Sequence, residues 1–326
     1  MKRPIFDRQH GIHPTALLLV SALMILTGVA QAWSWEVTDA EMRAYVRSLD
    51  KTRETCQEGV FRELIGVIPD ADPVNAKRLC GDDLVWEGEP GKSRVLVATF
   101  MDRGAFEKYY KLNLDQHLES YRLKKSLWVT VVPELRNAFV RGCKRDQPLK
   151  LDRCPPTPKR IAKLLGLPPN KDYEILVELW VSPADLFRPS ADPEITDHEA
   201  EPATRTSEGH WSFRSDQNPF SRIDETQLFL DHAGGSAVPF KTWYADTASR
   251  YDPLNWDAPW TRLGYTYDWG SARNHVGVSE FIVRINPDPD PEKQYAEVRL
   301  VRAIDSATPD WSRYFRCLRK LRAGRH

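Results

Sequence analysis

The sequence predicts a mixed α/β (α+β) fold: a mixed sheet with flanking helices, antiparallel C-terminal strands and a long irregular excursion in the second half. Three observations predict it. Residues 94–101 (RVLVATFM) and 127–132 (LWVTVV) are continuous apolar runs of strand length, as expected for strands buried on both faces. Helix signatures alternate with them, the clearest over residues 157–166. Residues 276–285 (VGVSEFIVRI) and 296–301 (AEVRLV) are strand-like and joined by a Pro/Asp-rich turn, which predicts an antiparallel pair.

The chain opens on a targeting pattern. Lys2, Arg3 and Arg8 precede an apolar run over 16–29, and Ala30-Gln31-Ala32 has the small-x-small form that signal peptidase reads. The run has 14 residues, too few for an anchor that needs about 20. Cleavage after Ala32 and a periplasmic or secreted mature chain follow as expectations. Five cysteines lie beyond that site. In an oxidising compartment they favour disulfides, with Cys143 and Cys154, which flank a short polar loop, the easiest pair to close.

Residues 33–82 read as a helical entry region. Thr38 and Glu41 form a capping box, with Val37 and Met42 placed as a hydrophobic staple, and the helix that follows buries Met42, Tyr45 and Leu49. Val60, Phe61, Leu64 and Ile65 have the spacing of a second helix. Residues 83–181 form the α/β part of the main domain. Here Thr157 is an N-cap, Pro158 stands at the first helical position, and Gly166 is the stop. Residues 173–181 (YEILVELWV) return as a third strand.

Residues 182–326 hold the aromatic-rich irregular segment, the last strands and a final helix. A loop as long as 182–259 inside a compact domain either folds around its own aromatics or covers a site. Its acidic stretch 192–201 reads as a solvated helix start, with Thr196 as N-cap; the alternating ligands of a calcium loop are missing. The final helix buries Trp311, Tyr314, Phe315 and Leu318. Its other face carries Arg313, Arg316, Arg319, Lys320 and Arg322, a cationic surface for weak contact with an anionic envelope.

Function is less legible. The formal charge is zero, which argues against a dedicated nucleic-acid binder. No nucleophile elbow, phosphate loop, zinc-protease helix or dinucleotide fingerprint occurs, so neither a metal nor a cofactor is implied. Two stretches carry the candidates. In 259–270 (PWTRLGYTYDWG), an extended chain aims Leu263, Tyr265, Tyr267 and Trp269 at the core and Arg262, Thr266 and Asp268 at the opposite side. In 276–285 both faces are mostly apolar and one carries Glu280, whose burial would raise its pKa into the range of a general acid or base. The expected site therefore has Glu280 and Asp268 as catalytic carboxylates, Arg262 and Thr266 positioning substrate, and Trp260 stacking on a sugar or other planar ligand. It predicts a hydrolytic or group-transfer enzyme acting on a glycan or similar polar ligand in an aromatic-lined cleft. The alternative is a non-catalytic envelope-binding or interaction module.

Overall fold

The apolar runs become the centre of a seven-stranded sheet. The computed structural model describes residues 37–55, 59–67, 84–139, 155–208, 210–213, 227–230, 236–251 and 258–315. These all lie in the second of the chain's two units, Trp35–His326. The expected signal segment, the five cysteines with the expected Cys143 to Cys154 pairing, and Arg316, Leu318, Arg319, Lys320 and Arg322 lie outside the described residues. Among the described residues no helix is long and apolar enough to cross a membrane.

In chain order the elements are α1 (Asp39–Thr55), β1 (Val95–Met101), α2 (Arg103–Tyr109), α3 (Lys111–Asp115), β2 (Tyr121–Leu123), β3 (Leu127–Val131), α4 (Val132–Asn137), α5 (Pro158–Leu164) and β4 (Ile175–Val181). There follow β5 (Leu186–Phe187), β6 (Thr204–Arg205), β7 (Trp211–Ser212), β8 (Leu228–Leu230), β9 (Ala237–Pro239), α6 (Phe240–Arg250), β10 (Tyr265–Tyr267), β11 (Val276–Ser279), β12 (Phe281–Val283), β13 (Ala296–Asp305) and α7 (Pro309–Tyr314). The main sheet runs β2-β13-β4-β1-β3-β12-β5, and each of its pairings is antiparallel. The α+β class stands, with an antiparallel sheet.

Alternation divides the sheet side chains between two cores. Val95, Val97, Val129, Val177, Phe281 and Val283 fill one face. On the other, Leu96, Ala98, Phe100 and Leu176 pack under α5 and α7 through Ile161, Leu164, Trp311 and Phe315. Further along this second face, Trp128 and Ile282 meet the aromatics of α6 and the irregular segment. That segment does fold around its rings: Phe187, Phe229, Phe240 and Trp243 are in mutual contact with centroids 4.8–6.3 Å apart.

Local signals held where the chain could satisfy them alone. The Glu41 N–H donates to Thr38 Oγ1 at 3.2 Å and the Thr38 N–H to Glu41 Oε2 at 3.0 Å, closing the capping box. Thr157 caps α5 by accepting from the Arg160 N–H, and Gly166 beyond it has φ +68°. Met42, however, is exposed; α1 buries Tyr45, Ser48, Leu49 and Thr52 instead.

Three expectations are corrected. Residues 59–67 are not helical: Phe61 exchanges backbone hydrogen bonds with Ala200, and the N–H groups of Leu64 and Val67 donate to the carbonyls of His198 and Ile195. Neighbours Leu64 and Ile65 are buried in different clusters, so helix-like spacing here records a strap clamped from two sides. The acidic stretch is not a solvated helix start either: it is a loop with Asp192, Ile195, Ala200 and Glu201 buried. Finally, residues 276–285 do not pair with β13. Their strand splits, β11 pairing with β10 while β12 lies between β3 and β5, and β13 sits between β2 and β4.

Candidate functional site

Among the described residues lies a cleft of about 790 Å³, within the usual range for a small-molecule site. It arises from a flaw in the sheet. β1 pairs with β4 over its whole length, but with β3 only at Val97↔Val131 and Ala98↔Thr130. Beyond those pairs the two strands diverge. Thr99, Phe100, Met101 and Asp102 line one wall, and Ser126, Leu127, Trp128 and Val129 the other. Apolar surface dominates, and Tyr110, Tyr121, Tyr173 and Tyr251 are among the lining residues.

Glu280 stands where the gap closes. It is the single residue between β11 and β12, and its N–H donates to the Gly264 carbonyl at 2.9 Å as the chain passes from the small sheet to the large one. Extending the register Phe281↔Val129 by one step sets Glu280 across from Thr130, which itself faces Ala98. Such neighbours have Cβ atoms about 5 Å apart. The side chain lines the cleft and keeps partial solvent access, yet protein surrounds it closely enough that burial pushes its pKa up to about 8. Nothing opposes that shift, since among the described residues the carboxyl has neither a hydrogen bond nor an ion pair. Thr130 beside it has a buried hydroxyl with no partner among the described residues. At neutral pH the pair is thus a protonated acid and a hydroxyl facing the cleft.

The other predicted site residues divide differently. Trp260 lines the cleft, but its indole N–H is committed to the Pro189 carbonyl at 2.9 Å and its ring is enclosed by Trp128, Tyr244 and Tyr251. It is a wall, and the half-buried rings of Trp128 and Tyr251 are the ones left open to a ligand. Thr266 also borders the cleft, but its hydroxyl donates to the Leu164 carbonyl at 2.7 Å and accepts from the Val278 N–H at 3.0 Å. Asp268 does not reach the cleft. Its fully buried carboxylate is held by both terminal nitrogens of Arg160, at 2.9 and 2.5 Å, and accepts from the Gly270 N–H. Arg262 stacks over Trp211 and Trp260, 5.4 and 5.7 Å from their ring centroids.

The expected facing is thereby corrected. Positive φ at Arg262 and Gly264 breaks the extended chain, leaving only Tyr265–Tyr267 as strand. Tyr265, Tyr267 and Trp269 do pack inward, against Phe61, His275 and Tyr45. The polar residues opposite face α5, where Thr266 donates to the Leu164 carbonyl and Asp268 accepts from Arg160; from the inward side the Trp269 indole N–H donates to the Leu167 carbonyl just beyond the helix. Helix ends need such partners for their orphan carbonyls. The stretch is a clamp on the end of a helix.

Sequence reasoning missed the residues of the gap, because each reads as ordinary buried strand; only pairing reveals that β1 and β3 part. It missed Arg188 as well. That side chain is fully buried, donates to the carbonyls of Glu194 and Asp197 at 3.0 and 2.9 Å, and leaves one terminal nitrogen unpartnered among the described residues. Around it, Asp192, Glu194 and Asp197 bring carboxylate oxygens within 4.8 Å of one another. Burial foremost, then repulsion from Glu194 and Asp197, raises Asp192 to about 7. The cluster thus carries its own cation in Arg188. Comparison with protein-family models, with curated proteins and with solved structures gives no match to the chain.

Proposed function

We propose that this protein binds a small molecule in the β1/β3 cleft and that Glu280 serves there as general acid in a hydrolytic or group-transfer step. The observation that carries this reading is a carboxyl on the wall of a largely apolar cleft, with a buried hydroxyl beside it, neither of them partnered among the described residues. A protonated carboxyl near neutrality can give its proton to a departing atom and recover it from water.

The reading departs from a two-carboxylate glycan hydrolase. Asp268 is sequestered by Arg160. The nearest other carboxylate on the cleft wall, Asp102, is four residues along β1 from Ala98, about 13 Å at strand rise. Paired carboxylates of glycosidases sit roughly 5 to 9.5 Å apart. The lone acid also favours a second reading, a non-catalytic binding module in which Glu280 and Thr130 donate hydrogen bonds to a ligand. The leader pattern of residues 1–32 supports action outside the cytoplasm under either reading.

The direct test needs no substrate. Carbon-detected NMR titration of the Glu280 carboxyl should show a midpoint near 8; a midpoint in the ordinary range near 4.5 would remove the residue from both readings. Screening wild type and Glu280→Gln side by side against chromogenic esters, amides and glycosides then separates them. The enzyme reading expects a turnover lost in a variant of unchanged fold, and the binding reading expects no turnover in either.

A further inference from the structure

The cleft is bounded by strand edges, and this constrains what fills it. On the β3 side of β1, the Leu96 N–H donates to the Val85 carbonyl and the Arg94 carbonyl accepts from the Glu87 N–H. Because backbone groups of alternate residues point the same way in a strand, Ala98 and Phe100 also face that side. Ala98 meets Thr130; by the same alternation Phe100 and Trp128 present their N–H and C=O groups to the gap, where β1 and β3 form no pairing. Backbone groups in a largely apolar enclosure require a partner, from water or from a ligand. A strand repeats such groups every two residues, about 6.7 Å. An acyl chain offers nothing at that spacing, whereas an extended amide chain matches it.

Charge is distributed along the same axis. At the closed end stand Ala98, Thr130 and Glu280. At the open end, Lys125 precedes β3 and Lys171 precedes β4, whose first residue Ile175 pairs with Met101, while the carboxylate on that wall, Asp102, is engaged in capping α2 by accepting from the Ala105 N–H. Both lysines line the cleft, are exposed and have no ion pair among the described residues. Neighbouring Lys124 is already paired with Glu292.

We infer that the cleft takes a short extended peptide with a free C-terminal carboxylate. Its amides pair with the backbone of Phe100 and Trp128, its carboxylate meets Lys125 and Lys171 at the mouth, and its other end reaches Glu280. The span from Ala98 to Asp102, about 13 Å, fits some four residues. This inference rests on the proposed site but not on its acid chemistry.

The test uses three probes of similar length: acetyl-tetraalanine with a free carboxylate, the depsipeptide in which esters replace its inner amides, and decanoate. The expected result is saturable binding of the peptide in calorimetry, with slowed hydrogen exchange at the Phe100 and Trp128 amides and roughly ten-fold weaker binding of the depsipeptide. Lys125→Ala and Lys171→Ala should each weaken the peptide about two- to five-fold, the range of exposed ion pairs, and leave its carboxamide form unaffected. Decanoate binding as well as the peptide, or peptide binding with no change at Phe100 and Trp128, would overturn the inference. So would failure of all three probes to bind. None of these outcomes touches the Glu280 reading if its titration midpoint still lies near 8, while a midpoint near the ordinary 4.5 removes that reading and leaves peptide binding to be judged by exchange alone.

Discussion

Asp268 and Glu280 are both carboxylates set among apolar neighbours in the sequence, and the structure gives them opposite fates. Arg160 reaches Asp268 with two hydrogen bonds, which tie the carboxylate to α5. Among the described residues no cation pairs with Glu280, so its proton is kept instead. The candidates that could have paired with it are engaged elsewhere: Arg262 stacks on tryptophans, and Arg284 donates to the Leu228 carbonyl and lies near Asp185. Removing one partner of a buried pair leaves the other charge stranded, a loss of about 3 kcal/mol or more. Asp268→Ala should therefore lower the thermal midpoint by about 6 °C or more at a couple of degrees per kcal/mol, without changing the titration of Glu280. A midpoint within a degree of wild type would show that the Arg160 pair contributes nothing net. The apolar residues alternating around Glu280 are enough to select it from the sequence. No comparable pattern separates Asp268 from it, since the deciding cation lies 108 residues away.

At the scale of elements, legibility followed the range of the forces. Helix caps at Thr38 and Thr157 and the buried runs of β1, β3 and β4 depend on adjacent residues, and the sequence predicts them within a residue or two. The strap at 59–67, the split between β11 and β12 and the parting of β1 from β3 depend on distant partners, and no local pattern encodes them. Glycine marks one of these long-range contacts. A Cβ at Gly277, in β11, would lie 2.1 Å from Thr266 Oγ1 and 2.5 and 2.7 Å from the carbonyl oxygens of Thr266 and Leu164. Two of those atoms are backbone and cannot turn aside, so β10, β11 and the end of α5 meet at a point that admits no side chain. Gly277→Ala should destabilise by about 2 to 3 kcal/mol, as overpacking of a close-packed interior does, and Gly277→Val should not fold. An unfolding midpoint for Gly277→Ala equal to that of wild type would mean that β11 is not seated against α5 as described.

The whole molecule combines carboxyl groups shifted in both directions, and the sum fixes how stability depends on pH. Glu41 is opposed by burial but held at about 2 by Lys159, Lys163 and the Thr38 N–H. It binds fewer protons folded than unfolded between pH 2 and 4.5, so stability rises with pH there and is lost as pH falls through that window. Glu280, near 8, and Asp192, near 7, are raised chiefly by burial, and the Asp197 carboxyl beside Glu194 is raised for the same reason. From about pH 4.5 upward the unfolded chain releases these protons while the folded chain retains them. The sign reverses, and stability falls until the folded groups titrate near 7 to 8. Solvent in the cleft and the nearby Arg188 reduce each contribution well below its full shift, leaving a net loss of several kcal/mol between pH 5 and pH 8. A scan of thermal midpoints should therefore peak near pH 5 and fall by at least about 5 °C by pH 8. Glu280→Gln cannot ionise, so its profile should meet the wild-type curve near pH 5, run flatter and lie above it at pH 8. Parallel curves across that range would mean that the cleft hydrates Glu280 as water does, and the acid at the closed end of the gap would then be an ordinary surface carboxylate.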